Sequence, residues 1–414
     1  MKTSSTPTVT PIPTYFTDSA NLDAFSRLRV SNPQILFNCQ FTYDLAPILF
    51  QQLTSGVGST ITHNTTNRVA DMTFSATPSG GTCYMQSYEF IPYQPGRSQL
   101  IFVTFNMQGG VADCLKFAGY SDGTNGIEFQ LNGTTPQFKV SSGTSLGNVT
   151  KTQSEWNIDK LDGTGASGIT LDLTKTQILV IDFQALYVGR VRVGFDINGV
   201  IIYAHEFLNA NISLFPYAQT VNLPIRCGMT CTGTVSTTMF FTCSSIISEG
   251  GAEDINVFGY SFATSAQRNA VDTGPTAILA LRPKTTFNTF TNRVRVSFID
   301  VEIFNNGNQA VFWQLVIGQA LTGGTWSDVN ATYSSVERNS TAGLSGSPAI
   351  VIDSGWATST GGVKINVDTA IASRYPITLN AAGAHRDLGT IVVLITSLSS
   401  TQSCYCGVKF REIR

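Results

Sequence analysis

Alternation of apolar and polar residues with a period of two dominates this chain, and no stretch beyond about a dozen residues carries a helical period. The clearest case is the segment from Arg190 to Phe207. Val191, Val193, Phe195 and Ile197 alternate with Arg190, Arg192, Gly194 and Asp196, which puts one set on each face of a strand. Asn198-Gly199 supplies the positive φ angles of a two-residue type I′ turn, so the chain returns through Val200 to Phe207. Counting from that turn pairs Ile197 with Val200, Phe195 with Ile202 and Val193 with Ala204 on a core face. The other face pairs Asp196 with Ile201, Arg192 with His205 and Arg190 with Phe207.

The same period recurs along most of the chain. Gln34 to Tyr43, Thr82 to Tyr93, Ser98 to Met107, Leu115 to Tyr120, Gly126 to Leu131 and Gln137 to Ser141 read as strands, with turn signals at Asp122-Gly123 and Asn132-Gly133. Strands at roughly 8–12-residue spacing predict an all-β fold, a jelly-roll or lectin-like antiparallel β-sandwich. Thr176 to Leu186 is a buried apolar strand that leads into the hairpin. After Ser248-Glu-Gly-Gly251 the pattern restarts, with strands at Thr276–Pro283, Arg293–Asn305, Gln309–Gly318, Ala349–Ser354, Thr390–Ser397 and a last one at Lys409–Arg414. The expected organisation is an extended N-terminal arm (1–32, with Pro7, Pro11 and Pro13), a sandwich (33–251) and a second β-sandwich domain (252–414).

Composition sharpens this. Charged residues are only 13% of 414, with 37 Gly and 26 Phe, a profile of short strands and polar turns whose surface is consumed in contacts. The net charge of −2, without a basic run, excludes a nucleic-acid footprint. No run of 18 apolar residues and no signal sequence is present, which predicts synthesis in a cytoplasm without membrane insertion. The eight cysteines lack zinc-module spacing and are expected as buried reduced thiols, with Cys404 and Cys406 at the edge of disulfide reach.

Several motifs invite chemistry. His205-Glu206 cannot converge on a substrate, because neighbours on a strand point to opposite faces. Glu155, Asp159, Asp162 and Asp172 could surround Ca²⁺, but capping of the Asp162–Gly168 turn by Asp162, Thr164 and Ser167 explains them without a metal, and no cofactor is expected. Asp300 and Glu302 share a strand face at a spacing that suits glycoside hydrolysis, but Phe298 and Ile303 stand where flanking acids are needed. Gly343-Leu-Ser-Gly-Ser347 is not a nucleophile elbow and reads as a loop. Gly163-x-Gly165-x-x-Gly168 has no helix after it to hold a phosphate. Trp326, Tyr333 and Trp356 are aromatics that could stack on sugar rings.

Taken together, Asp23-Ala-Phe-Ser-Arg-Leu-Arg-Val-Ser31, Glu155-Trp-Asn-Ile-Asp159, Asp162-Gly-Thr-Gly-x-Ser-Gly168, Val188-Gly-Arg-Val-Arg192, His205-Glu-Phe207 and Ser248-Glu-Gly-Gly251 resemble a family of β-rich virion structural proteins of tailed bacteriophages and some large DNA viruses. Ala185-Leu-Tyr-Val188 departs from the family's Trp-Leu-Gly-Val. The resemblance covers about residues 20–251 and implies a non-enzymatic role in a virus particle. Its partners would be other virion proteins and copies of itself, with a trimer as the first expectation. Phe25, Arg27, Arg29, Arg190, Arg192 and His205 are the expected assembly contacts. The rival reading is a tail fibre or spike whose C-terminal domain binds host surface glycan through Trp326, Tyr333 and Trp356.

Overall fold

The structure is a computed structural model that describes residues 19–77, 80–184, 186–251, 257–348, 350–367 and 374–414. Most of the expected arm, Ala185, Ala349 and the start of the C-terminal segment at 252–256 lie outside the described residues. What is described is an all-β chain in antiparallel sheets, with two single-turn 3₁₀ segments at Gln153–Glu155 and Asp387–Gly389. No helix among the described residues is long and apolar enough to cross a membrane.

The first sandwich has two layers. In one sheet the strands run, in spatial order, Val200–Phe207, Val191–Ile197, Gln177–Gln184, Ser98–Asn106, Val235–Glu249, Val69–Thr77 and Ser59–Asn64, with Pro33–Gln40 paired to the later part of Val235–Glu249. The facing sheet runs Val149–Thr152, Thr135–Ser141, Gly126–Asn132, Cys114–Ser121, Ile225–Cys231, Gly81–Ser87 and Phe50–Ser55. Alternate residues of both sheets interdigitate in one core, where Phe129 packs edge-on against Phe195 at 5.1 Å and tilted against Phe138 at 5.4 Å.

The second sandwich repeats the principle. Val257–Ala263, Gln402–Ile413, Arg295–Asn305 and Gly361–Asn366 form one layer, with Arg268–Ala270 added to the long C-terminal strand. Ser327–Asp328, Val336–Asn339, Thr276–Pro283, Ile391–Ser397, Val311–Ile317 and Ile350–Ala357 form the other. Its core is separate and includes Trp313, Phe298 and Phe410. Gly343–Ser345, expected as a loop, is a short strand paired with Ala320–Thr322, and this hairpin covers a small apolar cluster on the outer side of the sheet.

The hairpin at Asn198-Gly199 forms as expected, with φ of 56° and 85° at the two turn residues. Its register holds from Ile197↔Val200 to Gly194↔Tyr203 and then shifts. A β-bulge at Ala204 brings Val193 opposite His205 and Arg192 opposite Glu206, so the expected Val193–Ala204 and Arg192–His205 pairs do not form. The extra residue breaks the period of two, so that the core-facing positions pass from Ile202 and Ala204 to Phe207.

Cys114 and Cys231 sit directly opposite one another on adjacent strands, Cα atoms 4.1 Å apart, and form a disulfide. For this pair the expectation of reduced thiols is corrected. The two residues are 117 positions apart, and only the strand order brings them together. Cys404 and Cys406 are free and buried in the second core.

Candidate functional site

Asp182 organises the outer face of the larger sheet. It is a carboxylate in the otherwise apolar run Ile178-Leu-Val-Ile-Asp-Phe183, it is fully buried, and burial of a charge demands partners. It has four donors. Ser98 Oγ lies 2.5 Å from Oδ1, while the Arg192 guanidinium at 2.5 Å, Arg29 at 2.7 Å and the Tyr203 hydroxyl at 2.9 Å meet Oδ2. Arg192 also lies 4.2 Å over the Tyr203 ring and donates to Leu22 O at 2.7 Å. Arg29 bridges onward to Glu249 at 2.8 Å.

These contacts fasten residues 19–30 onto the sheet as a strap. Arg190 and Gln184 both donate to Ala24 O, and Ala24 N donates to Ser98 Oγ at 3.2 Å. Within the strap, Asp23 accepts from the backbone N–H groups of Phe25 and Arg27 and from the Arg27 guanidinium. Arg29, Arg190 and Arg192 were expected to contact other subunits. The structure corrects this: Arg192 is 0% exposed, and all three hold the chain's own N-terminal segment. Phe25 is half-buried with Arg27 4.8 Å from its ring centroid, and Arg27 remains on the surface.

His205 is also not a surface contact. It is buried, packs edge-on against Phe207 at 4.5 Å and accepts the Asn157 N–H on Nδ1 at 3.2 Å. Burial, with Lys151 adding to it, pushes its pKa down to about 4, so the ring is neutral at physiological pH.

The Glu155–Asp159 motif closes the edge of that sheet. Trp156 is buried against Phe138, and Asn157 uses its amide as a strand would, donating to Glu206 O at 3.0 Å and accepting from Glu206 N at 2.9 Å. Ile158 and Asp159 donate to Ala204 O. Asp159 then accepts from Leu161 N and Ser167 N, which shapes the glycine-rich loop, and Asp162 caps Thr164 at 2.6 Å. A Cβ on Gly165 would stand 2.0 Å from Asp159 Oδ1. Gly165→Ala is expected to cost about 1–3 kcal/mol through this overlap, read as a lowered urea midpoint.

One surface was not anticipated. The loops at 186–189 and 208–217 are tied together by Asn209 donating to Gly189 O at 2.9 Å and Tyr217 donating to Tyr187 O at 3.0 Å. Together they expose Leu186, Val188, Leu208, Ile212 (70%), Leu214 (86%) and Phe215 at one end of the first sandwich. In sequence the signal was Leu208-Asn-Ala-Asn-Ile-Ser-Leu-Phe215, an apolar segment without strand alternation.

The C-terminal aromatics do not converge. Trp326 packs on the outer apolar cluster with Arg282 3.8 Å over its ring. Tyr333 is 68% exposed, in the connection between the edge strand Ser327–Asp328 and its neighbour Val336–Asn339, and Trp356 is 56% exposed on Ile350–Ala357, the opposite edge strand, against Phe312. A single glycan platform made of these three is ruled out by the strand order. Asp300 is buried and paired with Lys364 at 3.3 Å, while Glu302 is exposed.

No protein-family model matches the chain, and no curated protein matches it. Among solved structures it is similar to the carbohydrate esterase vb_24B_21 of the Shiga toxin-encoding bacteriophage phi24B, at 10% identity over 52% of this chain and 99% of that one, TM-score 0.31. It is similar to Rv0315, a pseudo β-1,3-glucanase of Mycobacterium tuberculosis, at 12% identity over 53% and 99%, TM-score 0.36. A legume lectin-like domain from Entamoeba histolytica matches at 10% identity over 51% and 96%, TM-score 0.30. These likenesses concern the β-sandwich fold. Structures described as a carbohydrate esterase and as a β-glucanase stand among the matches, at TM-scores of 0.31 and 0.30, and the expectation of a non-enzymatic chain is withdrawn.

Proposed function

We propose that this chain is a structural component of a virus particle, made in the host cytoplasm and built into the particle through contacts with copies of itself and with other virion proteins. The observation that carries the reading is the apolar end surface around Leu208, Ile212, Leu214 and Phe215. Contiguous exposed apolar side chains of this kind mark a protein contact. Residues 207–225 contain no Asp, Glu, Lys or Arg, so two copies can bring this surface together without like-charge repulsion. The low overall charge and the resemblance of several motifs to those of virion structural proteins support the same reading.

The expected assembly is a symmetric homo-oligomer, with a trimer as the first expectation. Sedimentation equilibrium of the purified chain at micromolar concentration should give a discrete oligomer, and Leu214→Asp should shift it at least ten-fold toward monomer. A wild-type chain that stays monomeric, together with its absence from particles in immunogold electron microscopy, would remove the proposal.

A further inference from the structure

The two sandwiches meet along a pinned junction. Ala381 N donates to Gln51 Oε1 at 2.8 Å, the Arg386 guanidinium lies 3.7 Å over the Tyr88 ring, and Arg293 lies 4.3 Å over Phe90. Arg295 of the second sandwich is ion-paired with Glu89 of the first. Beside these contacts the junction leaves a cleft of about 780 Å³. Sites for small ligands fall at roughly 300–1,000 Å³ and favour junctions between domains.

The lining has two characters. Pro47, Ile48 and Pro92 from the first sandwich and Tyr375 from the second give apolar and aromatic wall, whereas Gln34 and Asn38 give amides. Among the described residues the charged groups are two acids, Asp44 and Glu89, and two bases, Arg295 and Arg374, which balance in formal charge. A balanced cleft does not select an anion or a cation. The Glu89–Arg295 pair sits low in the wall, with side chains 7% and 19% exposed, and the Nε of Arg295 is buried without a hydrogen-bond partner among the described residues. Planar carboxylate, guanidinium and amide groups beside an aromatic ring suit a ligand with hydroxyls around its rim and C–H groups on its faces.

We propose that this cleft binds a short neutral chain of hexopyranose units, with Tyr375 as the apolar wall and Glu89 and Arg295 holding hydroxyls. The site draws on both sandwiches, since Glu89 comes from the first and Tyr375 and Arg295 from the second. It is separate from the apolar end surface and independent of the assembly reading. It also differs from the rejected platform of Trp326, Tyr333 and Trp356.

The test is saturation-transfer NMR followed by calorimetric titration of the full chain with three glucose hexasaccharides, linked α1,4, β1,3 and β1,4. At least one is expected to bind with a Kd of 1 mM or tighter. Tyr375→Ala and Glu89→Gln should each weaken that binding at least ten-fold, and Trp356→Ala should leave it unchanged. Glu89→Gln touches the junction, so melting temperatures are recorded for all variants, and Tyr375→Ala carries the decision if Glu89→Gln melts early. No transfer to any of the three sugars at millimolar concentration overturns the proposal. So does binding that survives Tyr375→Ala or is lost in Trp356→Ala. The oligomeric state measured in parallel distinguishes failure here from failure of the assembly proposal.

Discussion

Asp182→Ala is expected to lower the stability of the first sandwich by about 3–5 kcal/mol, because it removes one partner of a buried ion pair. Asp182 and Arg192 are both 0% exposed as side chains and lie 2.5 Å apart. Arg192 keeps Leu22 O and the Tyr203 ring, which are uncharged contacts. Arg29 loses one of its two acidic partners and retains Glu249. Urea unfolding followed by tryptophan fluorescence measures the loss, since Trp156 reports on this core. Limited proteolysis should show early cleavage within 19–32. The double variant Asp182→Ala/Arg192→Met should recover much of the deficit, because an apolar residue then takes the place of the buried charge. If the double variant is as unstable as the single one, the cluster stabilises by packing alone and the charge argument fails.

The second large effect is a pair of opposed pH dependences. His205 has its pKa depressed to about 4 from 6.5, so the unfolded chain binds more protons between those values and stability falls as pH drops from 6.5 toward 4. At about 1.4 kcal/mol per pH unit this amounts to about 3 kcal/mol. Glu249 runs the other way. Burial raises its carboxyl from 4.5 to about 7 despite Arg29 beside it, so the folded chain binds more protons in that window and stability falls as pH rises from 4.5 toward 7. The two slopes overlap between 4.5 and 6.5 and largely cancel, which predicts a flat wild-type profile for these two groups.

Single variants should separate them. Glu249→Gln should reveal loss of stability on acidification, with the midpoint between pH 6.5 and 4, and His205→Gln should reveal gain on acidification from pH 7 to 4.5. Urea midpoints at half-unit pH steps measure both. Profiles of the two variants that parallel one another would show that neither group titrates as described.

How much of this was legible in the sequence follows from the range of each interaction. The hairpin at Asn198-Gly199 was readable because a two-residue turn and a period of two are local. Its register failed only past Tyr203, where the bulge at Ala204 moves the core-facing phase from Ile202 and Ala204 to Phe207 and a uniform count from the turn no longer holds. The strands Thr276–Pro283 and Ile391–Ser397 were placed to within a residue for the same local reason. The site residues were less readable. Arg29, Arg190 and Arg192 looked like surface cations because nothing nearby in the chain neutralises them, whereas their partners Asp182, Ala24 O and Leu22 O lie across strands or in the strap. Asp182 itself carried a signal, one carboxylate within an apolar strand, and only a buried cluster explains it.

By itself, then, the sequence determined the all-β class, the antiparallel hairpin, the turn chemistry and the restart of strands after Gly251, since each rests on residues within a few positions of one another. The tertiary structure decided the rest. It joined Cys114 to Cys231, folded the strap over Asp182, set Tyr333 and Trp356 near opposite edges of one sheet, and opened a cleft between Glu89 and Tyr375. Those juxtapositions depend on strand order and on how two sandwiches meet, and many strand orders satisfy the same alternation of apolar and polar residues.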